Sequence, residues 1–163
     1  MIKKLTYLSL LTAIAIVLGY LENFIPVNLG IPGAKIGLAN IVSMIVLSVY
    51  SFKDALTISL LRVFIVASTF TNYYMFLYSL SGALLSLIIM YLLKRSNYFS
   101  TLLISITGAV FHNLGQILVA IIFYGFNIIY YLPYLTILAL ITGAVIGLLG
   151  QIIIIKLPKQ LRN

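Results

Sequence analysis

Apolar residues run along this chain in long stretches, separated by short turns that carry charge, glycine or proline. A helix needs about 20 apolar residues to cross a bilayer core. Six stretches approach that length: residues 5–24, 34–50, 55–70, 74–93, 99–124 and 133–155. The turns between them contain Pro26, Gly30, Pro32 and Gly33, then Lys53-Asp54, Thr71-Asn72, Lys94-Arg95, and Gly125 with Asn127. Pro133 suits the first turn of the last helix, where its missing N–H costs nothing. The pattern predicts an all-α integral membrane protein, a bundle of six transmembrane helices forming a single domain over residues 1–163. The first stretch lacks a small-residue cleavage site after it, so it is expected to be a retained helix rather than a signal peptide.

Lysine and arginine in short loops favour the cytoplasmic side. With the amino terminus inside, that side holds Lys3, Lys4, Lys53, Lys94, Arg95, Lys156, Lys159 and Arg162, while the outer side keeps only Lys35. Both termini are therefore expected in the cytoplasm, in a multi-pass protein of the cell membrane.

Composition supports the same picture. Hydrophobic residues make up 63% of the chain and charged residues 7%, against roughly 25% charged in soluble domains. Too few charges exist to clothe a water-facing surface. The net charge of +8 does not imply nucleic acid, because the cations sit at helix ends and form no basic face with interleaved aromatics. The chain has no cysteine and one histidine, which leaves no credible zinc site. It has no P-loop lysine motif. Its two acidic residues, Glu22 and Asp54, are expected on opposite sides of the membrane, where they cannot work as an acid–base pair. No cofactor is expected.

Sorted by depth, the remaining polar residues gather towards the outer half. Glu22 closes the first helix, Lys35 and Asn40 open the second, and His112, Asn113 and Gln116 lie in the outer part of the fifth. Arg62 lies eight residues past Asp54, roughly 12 Å deep at ~1.5 Å per residue. Thr101, Ser105, Gly108, His112, Gly115 and Gln116 share one helical stripe, as do Ala55, Ser59, Arg62 and Thr69. Both stripes should face the bundle interior. An arginine within the membrane is a functional hypothesis by default, with pairing to Glu22 or capping of backbone carbonyls as the structural alternative for Arg62. Lys35 could snorkel to the interface, and His112 and Gln116 could join helices by hydrogen bonds. The small pairs Ala15/Gly19 and Gly143/Gly147 are expected to mark packing inside the bundle.

Several runs carry a family resemblance: Ile31-Pro32-Gly33-Ala34-Lys35-Ile36-Gly37-Leu38-Ala39-Asn40, Arg62, Ser79-Leu80-Ser81-Gly82-Ala83, Gly108-Ala109-Val110-Phe111-His112-Asn113-Leu114-Gly115-Gln116, and Pro133. Together they resemble the Gx transporter family, often labelled heptaprenyl diphosphate synthase component I. That family is similar to the substrate-binding S components of energy-coupling factor (ECF) transporters. The resemblance implies six helices, a small-molecule site near the outer face, a transmembrane coupling subunit and two cytoplasmic ATPases. The label implies an enzyme, but prenyl diphosphate synthases hold magnesium and diphosphate with aspartate-rich motifs, and magnesium wants carboxylate oxygens. One Asp and one Glu cannot supply them.

Two functions follow as expectations. In the first, the chain is the substrate-binding subunit of an ECF-type importer. Arg62 and Lys35 would favour an anionic ligand, Glu22 would balance a cation, and His112, Asn113, Gln116 and Asn40 would supply directional hydrogen bonds. Loop 25–33 would act as a lid. In the second, the chain is a non-catalytic membrane subunit in prenyl or quinone metabolism.

Overall fold

The computed structural model describes residues 2–24, 35, 37–70 and 73–157. The expected lid 25–33, Asn72 in the outer turn, and Lys159 and Arg162 in the tail lie outside the described residues. Six α-helices occur among the described residues: α1 (Ile2–Leu21), α2 (Asn40–Val49), α3 (Phe52–Phe70), α4 (Tyr73–Ser96), α5 (Thr101–Tyr124) and α6 (Leu132–Lys156). Short 3-10 turns at Glu22–Phe24 and Phe126–Tyr131 extend α1 and precede α6.

Four helical segments are long and apolar enough to cross a bilayer: Lys4–Leu21, Tyr73–Ser96, Thr101–Tyr124 and Phe126–Lys156. The surface is turned inside out relative to a water-soluble bundle. Large apolar side chains such as Leu10, Val17, Phe64, Ile122, Ile137 and Leu148 are exposed, whereas Glu22, Asn40, Arg62, His112, Asn113 and Gln116 are buried. Both features are those of a multi-pass membrane protein, because hydrocarbon welcomes the first set and penalises the second.

The second expected span is corrected by the structure. It was expected over residues 34–50, but α2 covers only Asn40–Val49, about 15 Å of helix, half a bilayer core. Two features delay its start. Gly37 adopts φ +87°, a left-handed conformation that suits glycine and breaks a helix. The Glu22 carboxylate accepts the Leu38 N–H at 2.5 Å, satisfying a donor just before the helix begins. Val42, Ser43, Met44, Ile45, Val46, Leu47 and Val49 are all buried, and α2 contacts each of the other five helices. A helix that is apolar all round belongs in a core. Here α2 is a short central post wrapped by longer helices. Its far end is closed by Lys94, whose Nζ donates to the carbonyls of Leu47 and Ser48, groups that the helix itself leaves unpaired.

Around that post, α5 packs most extensively against α4 and α6. Small residues set the spacing. A Cβ on Gly115 would fall 2.9 Å from the Gly82 Cα, and one on Gly143 would fall 2.8 Å from the Ile106 Cα. Backbones this close gain dispersion contacts that lipid cannot supply. The Ser105 hydroxyl donates to the Gly143 carbonyl at 2.8 Å and fixes the same crossing. Ala15 is buried and Gly19 lies against Val66 and Arg62, so both small pairs are used inside the bundle. The interior stripe on α5 is found as expected from Ser105 to Gln116. On α3 the stripe stops early: Thr69 is exposed and returns its hydroxyl to the Ile65 carbonyl at 2.8 Å, a local bond that needs no interior partner.

Candidate functional site

Each polar residue of the interior is placed by its own helix. The α1 helix ends at Leu21 and its 3-10 extension turns Glu22 inward. Arg62 projects from the middle of α3, with eight residues of helix beyond it, the last being Phe70. Gly19 of α1 lies against the arginine stem: a Cβ there would sit 3.5 Å from Arg62 Cγ and Cδ, ordinary van der Waals contact. His112 projects from the middle of α5 and lies against Gly82 of α4: a Cβ there would come within 2.8 Å of the His112 carbonyl oxygen and 2.9 Å of its Nδ1.

Glu22, Lys35, Arg62, His112 and Ser79 line one small cavity together with Gly19, Val63 and Val66. Its free volume is about 10 Å³, the room of a single water. Four of the seven expected site residues therefore meet around one point. Ser79 is the addition. It lies on the buried face of α4 with Gly82, Ala83 and Ser86; the run Ser79–Ala83 carries part of the family resemblance, but Ser79 was not expected at the site.

The electrostatics of the cluster are unbalanced. No ion pair within 4.0 Å joins Glu22 to Lys35 or Arg62; among the described residues the one such pair is Lys4–Asp54 at 2.8 Å. Glu22 uses its carboxylate on the Leu38 amide. Arg62, 5% exposed, makes one long hydrogen bond among the described residues, Nη2 to Asn40 Oδ1 at 3.4 Å. Its Nε has no partner, and neither do Asn40 Nδ2 and the Ser79 hydroxyl. Glu22, Lys35 and Arg62 carry a formal sum of one positive charge. A guanidinium has five donors, and among the described residues one weak bond uses them.

The other expected residues hold the frame. Gln116 is fully buried. Its Oε1 accepts the Lys35 N–H at 3.2 Å and its Nε2 donates to the Lys35 carbonyl at 3.1 Å. The side-chain amide thus pairs with a backbone residue much as a neighbouring strand would. The second Nε2 proton points to His112 Nε2 at 2.8 Å. That ring nitrogen must accept, which puts the imidazole proton on Nδ1. Asn40 sits beneath the cavity, between Arg62 and Gly37, where a Cβ on Gly37 would meet Asn40 Nδ2 at 2.8 Å. Asn113 turns away: its Nδ2 donates to the Leu135 carbonyl of α6 at 2.8 Å, a bond between helices rather than a group facing the cavity.

Fold and site define a class: a multi-pass membrane protein whose interior gathers a cationic polar cluster around one point. The chain belongs to the family described as heptaprenyl diphosphate synthase component I, whose model matches residues 11–153. No curated protein and no solved structure matches it.

Proposed function

We propose that this chain is the substrate-binding membrane subunit of an ECF-type importer for a small anionic metabolite. The observation that carries the reading is the Arg62 guanidinium: buried, without an ion pair, and facing a cavity with Lys35. Burying a charge costs several kcal/mol unless it is compensated, and an anionic ligand group supplies that compensation. Arg62 and Lys35 would take the anion, with His112 and Ser79 at its edge. Glu22, Asn40 and Gln116 would hold the groups that touch it, and Asn113 would hold α5 to α6. The cluster is closed to about one water, so a metabolite enters only when the surrounding side chains part.

The proposed orientation puts both termini in the cytoplasm of a cell-membrane protein. Contacts of Lys4 with Asp54 and of Lys94 with Leu47 and Ser48 bring Lys4, Lys53, Lys94 and Arg95 to one end of the bundle, consistent with the charge rule. In this role the chain carries no catalytic step and relies on a transmembrane coupling subunit and cytoplasmic ATPases. The family description favours a second reading, a membrane partner of a prenyl diphosphate synthase. A catalytic role of its own is disfavoured: the chain's two carboxylates, Glu22 and Asp54, lie at opposite ends of α1. Asp54 binds Lys4, which is 18 residues from Glu22, about 27 Å along the helix. Affinity purification of the full chain from its native membrane separates the readings. Recovery of a coupling subunit with ATPases supports the importer, and recovery of a soluble prenyl synthase in their place overturns it.

A further inference from the structure

At the end of the bundle opposite Glu22, α2 ends, α3 begins and α4 ends around an open groove of about 620 Å³. Its apolar wall is built from Leu47, Phe52 and Tyr91, with the two rings in contact at 4.6 Å between centroids. Its rim carries Lys53, Lys94 and Arg95. The carboxylate at this end, Asp54, is already committed. It binds Lys4 at 2.8 Å, the Ser51 hydroxyl at 2.7 Å and the Ser51 N–H at 3.2 Å. Glu22, the other acid of the chain, is at the far end. Among the described residues, three cations therefore share a groove without an opposing charge.

Lys94 has a structural duty on the carbonyls of α2 and also lines the groove. Lys53 and Arg95 are exposed and have no such duty. A signal that only sets topology needs cations near the membrane face; it needs neither a groove nor an aromatic wall. Tyr91 lies one helical turn deeper on α4 than Lys94 and Arg95. An anion seated on the cations would thus carry any attached hydrocarbon along Tyr91 and Phe52 into the bilayer.

We infer that this groove binds a phosphate oxyanion, and that the oxyanion is the headgroup of an anionic membrane lipid. Cationic pockets between helices at a membrane face hold such headgroups through charge-assisted hydrogen bonds. A soluble phosphate would use the same cations but leave the apolar wall idle.

The test uses the full chain in neutral detergent, titrated with phosphatidylglycerol, phosphatidylcholine or inorganic diphosphate and read by native mass spectrometry and thermal unfolding. Phosphatidylglycerol should bind as one tightly held copy and raise the unfolding midpoint, and phosphatidylcholine should not. The double variant Lys53→Gln/Arg95→Gln, which leaves the Lys94 cap intact, should weaken phosphatidylglycerol about thirtyfold, from about fivefold per cation. Lys156→Gln removes an exposed cation from outside the groove and should change affinity less than about twofold, the response of a single screened surface charge. Stabilisation by diphosphate that vanishes in the double variant would keep the oxyanion site but overturn the lipid as its source. Equal binding of the two lipids, or equal loss per charge in all variants, would overturn the groove as a site.

Discussion

Replacing Gln116 with leucine removes the side chain that fastens Lys35 to α5. The change is close to isosteric, so it opens little cavity, and its cost comes from hydrogen bonds. Three are lost: two to the Lys35 backbone, at 3.2 and 3.1 Å, and one to His112 Nε2 at 2.8 Å. Lys35 is half-buried, so water can reach part of its freed backbone, and each lost bond there costs about 1 kcal/mol. His112 is buried at 2% exposure, and an orphaned buried acceptor costs about 1–3 kcal/mol. The sum is roughly 3–5 kcal/mol on these values. Equilibrium unfolding in mixed micelles measures it directly. The same variant should lower ligand affinity as far as Lys35→Ala does, although the Lys35 ammonium is untouched, because the ammonium is no longer held at the cavity. Asn113→Leu is the internal control. It loses one bond to Leu135, about 1 kcal/mol, and should leave binding unchanged. A Gln116→Leu protein within about 0.5 kcal/mol of wild type, the range of an ordinary surface substitution, would refute the clamp.

Further outcomes follow from the same contacts. Gly82→Ala would drive a methyl to 2.8 Å from the His112 carbonyl and 2.9 Å from its ring; separation of α4 from α5 should cost about 1–3 kcal/mol by overpacking and broaden the His112 ring resonances in a ¹⁵N spectrum. Ser105→Ala loses its bond to Gly143 and should cost about 1 kcal/mol without touching ligand affinity, which separates packing from binding. Single cysteines at Ser96 and Asn127 should react with an impermeant thiol reagent from opposite sides of the membrane; reaction of both from one side would refute the proposed orientation.

Much of the architecture was legible because hydrophobic length and period are direct consequences of the bilayer. The long helices α4, α5 and α6 follow their apolar stretches to within a few residues. The α2 segment misled because a run of apolar residues reads alike in lipid and in a protein core. What distinguishes them is the left-handed Gly37 and the Glu22 carboxylate reaching the Leu38 amide from 16 residues earlier, a tertiary contact that periodicity cannot display. The buried polar cluster was legible as a set of residues but not as a set of contacts. Charge and depth were enough to nominate Glu22, Lys35, Arg62 and His112, which meet at one cavity. Gln116 and Asn113 sit on nearby turns of one helix with similar chemistry, and only the helices they face separate a Lys35 clamp from a bond to α6. Ser79 belongs to a run that carries the family resemblance but was not assigned to the site, because a serine in an apolar helix commonly bonds a local carbonyl.

The most direct measurement is a native mass spectrum of small molecules retained by the full chain purified gently from its own membrane, taken beside the same preparation of Arg62→Met. Methionine keeps the volume of the side chain and removes its charge. Among the described residues Arg62 has one 3.4 Å bond and no ion pair, so the variant should fold and stay monodisperse, with stability unchanged or raised. The account predicts an anionic metabolite on the wild type, held at least about tenfold more weakly by the variant, since one charge-assisted bond contributes about 1.5–3 kcal/mol. A variant that retains the metabolite fully, or that unfolds without any ligand present, would contradict it.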